Sequence, residues 1–220
     1  NNYNKMKSKK IGITLRVVEN TSYVEKRDAL SQDWPSLLES INCIPVFIPN
    51  STASTKSILQ EMDLDGIILS GGDCIGDNKE RDFTEKIILD YAILKKIPVF
   101  GVCRGMQVIN EFFGGKVTII ENNNHIVKSH KIRLLDSIIF PFFKHDPINV
   151  NSFHRNIIKE NDLGNELKIF AVLDDDKTVE GFFHSKYPII GVMWHPERNS
   201  TEQDKFLLKQ FFYDQSMWSK

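Results

Sequence analysis

The stretch Ile97-Pro-Val-Phe-Gly-Val-Cys103-Arg-Gly-Met-Gln-Val-Ile-Asn-Glu-Phe-Phe-Gly-Gly115 runs an apolar segment straight into Gly101-x-Cys103-x-Gly105, and a helical pattern begins at once. This is the spacing of a nucleophile elbow, with cysteine in the place where hydrolases usually carry serine. Glycines on either side of the nucleophile relieve the crowding of a sharp strand-to-helix turn. The turn is expected to lift Cys103 out of a sheet and set it over a helix N-terminus, where the helix dipole favours thiolate over thiol. A cysteine so placed is suited to attack an electrophilic carbon. The alternative for this stretch alone is a small buried residue at a tight turn.

Working outward, short apolar runs alternate with amphipathic stretches on the N-terminal side. Strands are expected at 10–18, 44–48, 66–69 and 97–102, and helices at 33–41, 55–61, 81–96 and 104–113. Asp33 is expected to cap the first helix, with Pro35 in its first turn. Phe83, Ile87, Ile88, Tyr91 and Leu94 recur at helical spacing in the third. Such a β-α alternation predicts an α/β fold: a three-layer, mostly parallel central sheet of flavodoxin-like type. Sites in such sheets lie beyond the carboxyl ends of the strands. Both Gly71-Gly72 and Cys103 fall there. After Gly115 the pattern turns β-rich, with strands expected at 116–120, 131–135, 167–173, 178–183 and 188–193 and a closing helix at 201–213. Residues 1–9 read as a polar tail open to disorder, with Met6 a candidate native start, and 10–220 as a single domain.

Bulk properties narrow the classes. The chain has 220 residues, 41% hydrophobic and 26% charged, as in an ordinary soluble globule. Lys and Arg number 28 against 29 Asp and Glu, so a net charge of −1 gives no basic excess for nucleic acid or an anionic membrane. Three cysteines (Cys43, Cys74, Cys103) form neither a disulfide framework nor a zinc pattern, which fits a reduced, cytoplasmic setting. No apolar run is long enough to span a bilayer.

A nucleophile needs a base. The candidate lies in Ile189-Ile-Gly-Val-Met-Trp-His195-Pro-Glu197, where a strand ends on a histidine and a carboxylate follows two residues later. If 195–197 stay extended, both side chains point to one side. The carboxylate then orients one imidazole nitrogen while the other faces the thiol: a Cys103, His195, Glu197 triad. The order Cys, His, Glu differs from the nucleophile, acid, histidine order of α/β-hydrolases. An oxyanion hole would take one N–H from Arg104, after the nucleophile, and a second from Gly71 or Gly72. Taken alone, the glycine pair is simply a turn.

Together these motifs resemble the class I glutamine amidotransferase superfamily. The likeness rests on Leu-Ser-Gly-Gly at 69–72, Gly-Val-Cys-Arg-Gly-Met-Gln at 101–107 and Gly-Val-Met-Trp-His-Pro-Glu at 191–197. Arg81-Asp82, the Cys-Arg-Gly-Met-Gln-x-x-Asn run and Val150-Asn-Ser-Phe-His154 are similar to its γ-glutamyl amide hydrolase branch (peptidase C26-like). The resemblance implies the triad named above. It also implies that Gln107 and the backbone around Ser152, Phe153 and His154 hold a glutamyl group. It implies a hydrolase that cleaves a γ-glutamyl amide through a γ-glutamyl thioester, down to members acting on a γ-glutamyl cytidine diphosphate amidate. A γ-aminobutyrate-type hydrolase and a glutaminase subunit feeding ammonia to a synthetase are the alternatives, and a non-catalytic or redox protein with a cysteine elbow is the rival from another class. The expected partner is a small-molecule γ-glutamyl amide; a homo-oligomer is left open, and neither cofactor nor metal is expected.

The chain departs from the branch at Arg155-Asn156, where a His-Gln-like pair is common, and in the glycine loop, which lacks the usual proline. Both changes lie where a leaving group should sit. Arginine is a natural phosphate partner, so Arg16, Arg155 and Arg198 are candidate pyrophosphate contacts, although each taken singly is more simply a solvated surface residue. His125 and His130 lack the Cys or acidic neighbours of a metal set, and Asp174-Asp175-Asp176 reads as a turn. His145 and His184 carry no signal. Met217 and Trp218 could pack on the sheet or on a second subunit.

Overall fold

The computed structural model describes residues 6–120, 126–144, 148–173 and 177–219; His125, His145, Asp174–Asp176 and the first five residues of the tail lie outside them. Strands β1 (Lys9–Thr14), β2 (Arg16–Glu19) and β3 (Lys26–Ala29) precede helix α1 (Asp33–Ser40). The expected single strand at 10–18 is thus two. It breaks at Leu15, after which β2 turns out of the main sheet and pairs with β3 as a polar hairpin. Next come β4 (Cys43–Ile48), α2 (Thr52–Glu61), β5 (Gly66–Leu69), α3 (Lys79–Lys95), β6 (Val99–Val102) and α4 (Arg104–Phe112). The second half contributes β7 (Thr118–Ile119), β8 (Ile126–Leu134), β9 (Ile148–Phe153), β10 (Asn156–Ile157), β11 (Leu167–Leu173), β12 (Val179–His184), β13 (Ile189–Val192) and α5 (Glu202–Tyr213).

Among the described residues nine strands form one sheet in the order β4-β1-β5-β6-β13-β12-β11-β8-β9. The pairs from β4 to β13 are parallel, which requires the helical crossovers seen in sequence, and those from β13 to β9 are antiparallel. β5, β6 and β13 are buried at every residue, as expected of strands covered on both faces. Alternation along β6 shows the two layers: Phe100 meets Phe211 of α5 at 5.5 Å, whereas Gly101, on the other face, lies against Ile109 and Gly105 of α4. The terminal segment folds onto its own chain. Trp218 packs against Phe211 at 5.8 Å and donates its Nε1 to His184 O at 2.7 Å.

The carboxyl ends of β5, β6 and β13 are adjacent, so the glycine loop, Cys103 and His195 emerge side by side. Among the described residues no helix is long and apolar enough to cross a membrane.

Candidate active site

The elbow is tight where the glycines require it. A Cβ on Gly105 would lie 2.0 Å from Leu69 O, and one on Gly101 2.8 Å from the Gly105 backbone. Cys103 itself sits at φ 52°, ψ −105°, a sparsely populated conformation for a side chain other than glycine, of the kind found where surrounding structure fixes a functional residue. Its N–H donates to Val192 O at 2.8 Å, tying the elbow to the end of β13.

His195 faces Glu197 through Nδ1···Oε1 at 2.7 Å, both side chains buried. The segment is a turn and not an extended run: Arg198 N donates to His195 O at 3.2 Å, with Pro196 at the position where its fixed φ is favoured. The carboxylate reaches the imidazole by curling back within this turn. Asn151 clamps the same turn, accepting from His195 N at 2.8 Å and donating to His195 O at 2.8 Å and Arg198 O at 3.2 Å. A carbon added at Gly71 would come within 2.8 Å of His195 Cε1 and 3.6 Å of Cys103 Cβ, so the glycine loop lies within contact range of both the histidine and the cysteine.

The thiol is nearly enclosed, and burial pushes its pKa up to about 12. The Arg104 N–H bonded to the sulfur opposes this, while the Glu197 charge adds to it. Loss of hydration thus outweighs the Arg104 N–H bond and favours the thiol over the thiolate.

A cavity of about 530 Å³ opens over these groups. It is lined by Cys103, Arg104, His195, Gln107, Gly72, Phe153 and His154, and at its mouth by Arg16, Arg155 and Arg198. Gly71 faces a smaller space behind His195 and Glu197. Ser152 is buried within β9 and does not line the cavity. Gln107 Oε1 accepts from Asn156 at 3.4 Å. Arg16 pairs with Asp73 at 3.2 Å, and the Arg198 guanidinium lies 4.4 Å from the Phe153 ring centre. Burial would raise the Asp73 carboxyl, but the Val17 N–H, Arg81 and Arg16 hold it below its ordinary value. No group of three or more metal-ligating side chains converges among the described residues.

The family model for class-I glutamine amidotransferases matches residues 8–215. The chain belongs to the class I glutamine amidotransferase family. This amidotransferase is 32% identical over 213 residues to gamma-glutamyl-CDP-amidate hydrolase of Campylobacter jejuni, covering 92% of this chain and 96% of that one. It is 30% identical over 196 residues to anthranilate synthase component 2 of Cyanophora paradoxa, covering 86% and 95%. Among solved structures, a glutamine amidotransferase from Thermotoga maritima superposes with a TM-score of 0.66 at 14% identity, covering 93% of this chain and 98% of that one. The glutaminase domain of Trypanosoma brucei CTPS gives 0.68 at 17%, covering 93% of each. These last two likenesses concern the fold alone.

Glu85 and Glu180, outside the quoted motifs, and Asn151 and Arg81, within them but without a role read from them, also contact residues around this cavity. Glu180 is buried on β12 and lies 3.5 Å from His154 Nε2. What they hold is set by the fold: Asn151, Arg81, Glu85 and Glu180 reach His195, Ser70, Arg104 and His154 respectively.

Proposed function

We propose that the chain is a cysteine hydrolase of γ-glutamyl amide bonds, with Cys103, His195 and Glu197 as its catalytic triad and residues 10–220 as one hydrolase domain. The observation that carries this reading is that His195, bonded to Glu197 at 2.7 Å, lines the same cavity as the cysteine elbow. The thiol passes its proton to His195 as Cys103 attacks the γ-carbonyl carbon, because a thiol of pKa about 12 supplies almost no free thiolate at neutral pH. Glu197 holds the imidazolium that forms. Arg104 N–H and a glycine-loop N–H receive the oxyanion. His195 then protonates the departing nitrogen, leaving a γ-glutamyl thioester. Water, activated by His195, releases glutamate and restores the thiol.

The substrate we favour is γ-glutamyl-CDP-amidate, giving cytidine diphosphoramidate and glutamate in the cytoplasm. Attack at carbon leaves the P–N bond intact. Arg16, Arg155 and Arg198 supply cationic groups around one cavity, where a pyrophosphate would be held. The likeness to the Campylobacter jejuni hydrolase supports the same leaving group.

Turnover by the isolated chain over a panel of γ-glutamyl-CDP-amidate, γ-glutamyl amines including γ-glutamyl-γ-aminobutyrate, and glutamine tests the proposal. We expect γ-glutamyl-CDP-amidate to give the highest kcat/KM. Hydrolysis confined to glutamine and dependent on an added synthetase would instead identify an ammonia-supplying subunit.

A further inference from the structure

Three consecutive backbone carbonyls converge on one side chain. Arg81, fully buried in the first turn of α3, donates Nη2 to Ser70 O at 2.9 Å and to Gly71 O at 3.0 Å, and Nη1 to Gly72 O at 2.5 Å. In a planar trans peptide the N–H points opposite to the C=O. These bonds therefore turn the N–H groups of Gly71, Gly72 and Asp73 away from Arg81. Gly72 and Asp73 line the large cavity with Cys103, and Gly71 backs onto His195. In a regular strand successive carbonyls alternate in direction; three pointing one way need a cause, and the guanidinium fork supplies it.

The same network reaches the nucleophile. Arg81 Nε donates to Glu85 Oε1 at 3.1 Å, while the other oxygen of Glu85 is held by Arg104 Nη1. Arg104 also pairs with Asp82, and its backbone N–H bonds the Cys103 sulfur. One buried carboxylate thus joins the side chain that holds the glycine loop to the residue that follows the nucleophile. Ion pairs this deeply buried gain little net stability, because desolvation offsets their attraction; fixing a geometry is the better account of them.

We propose that Arg81 is a positioning residue that aims the glycine-loop amides at the oxyanion, and that Glu85 couples this loop to the Arg104 amide. The proposal rests on the acyl-transfer reading of the site given above. The test is Arg81→Lys, which keeps the charge opposite Glu85 but cannot bridge three carbonyls. Two rates are read: kcat and KM on the fastest substrate of the panel, and alkylation of Cys103 by iodoacetamide, followed on the Cys103 peptide by mass spectrometry. Iodide displacement forms no oxyanion, so it reports the thiol and its base alone. We expect kcat to fall about 10²-fold, with KM and the alkylation rate within about twofold of the unaltered chain. An unchanged kcat, or equal losses in kcat and alkylation, overturns the proposal. Should Arg81→Lys not fold, Glu85→Gln is read in the same way: selective loss of kcat supports the coupling, and equal loss in both rates or in neither overturns it. A wild-type chain inert toward the whole panel removes the site reading and the proposal with it, whereas a wild-type kcat kept in Arg81→Lys removes the proposal alone.

Discussion

At the scale of single residues, burial favours the thiol form of Cys103, and in the proposed triad His195 takes its proton as bonds form. The thiolate absorbance that distinguishes the protein from Cys103→Ala should therefore stay absent up to about pH 10, since burial moves the thiol to about 12. A difference spectrum that titrates near neutrality would show a resting ion pair instead. Gly71 matters for a neighbouring reason: its missing Cβ leaves the room that His195 occupies. Gly71→Ala should lower kcat about 10²-fold by displacing the imidazole, with urea stability little changed, and steady-state kinetics beside denaturation curves check this. That Cys103, His195 and the glycine pair emerge side by side was legible because each falls at the end of a strand in one parallel sheet. Asn151 and Arg81 lie in motifs that carry the family likeness, but nothing local in those motifs tells what either side chain holds. Their bonds join a side chain to backbone 44 and 11 residues away, respectively, and only the fold brings such partners together.

At the scale of elements, the elbow depends on α4 crossing the end of β5 without a side chain between them. Gly105→Ala would put carbon 2.0 Å from Leu69 O, a backbone atom with little freedom to yield. A loss of roughly 3 kcal/mol in urea denaturation is expected; Gly76→Ala, whose Cβ would meet open space, should cost only about 1 kcal/mol through its positive φ. The parallel half of the sheet was readable because its strands are apolar runs, buried throughout in β5, β6 and β13, linked to helices with an apolar face. β3, with the sequence Lys-Arg-Asp-Ala, has no apolar face to announce it and forms by pairing with β2. β9 was read as a substrate-holding motif and is also an edge strand of the sheet, since the segment that places Phe153 and His154 at the cavity pairs with β8. The expectation of an extended His195–Glu197 segment differs from the turn found because Pro196 sets a bend that spacing alone did not reveal.

At the scale of the whole molecule, the last residues are locked to the sheet through His184. Its ring lies against Phe113 and Tyr187, its carbonyl accepts from Trp218, and its Nδ1 accepts from the N–H groups of Lys186 and Tyr187. Protonating Nδ1 would break both of those bonds, and burial already brings the imidazole from 6.5 to about 4. A histidine lowered on folding contributes stability that is present above 6.5 and lost as pH falls toward 4. Unfolding free energy should drop over this window by on the order of 2 kcal/mol. His184→Asn, which keeps an acceptor but does not titrate, should flatten the curve; an unchanged pH slope in that variant would assign the loss elsewhere. The most direct test of the central claim is acid quenching during turnover of γ-glutamyl-CDP-amidate, with mass spectrometry of the Cys103 peptide. A γ-glutamyl thioester on Cys103 is expected, with a turnover rate at least ~10⁴-fold lower in a folded Cys103→Ala. Turnover that survives in Cys103→Ala, with no acyl group on the wild-type peptide, would contradict it.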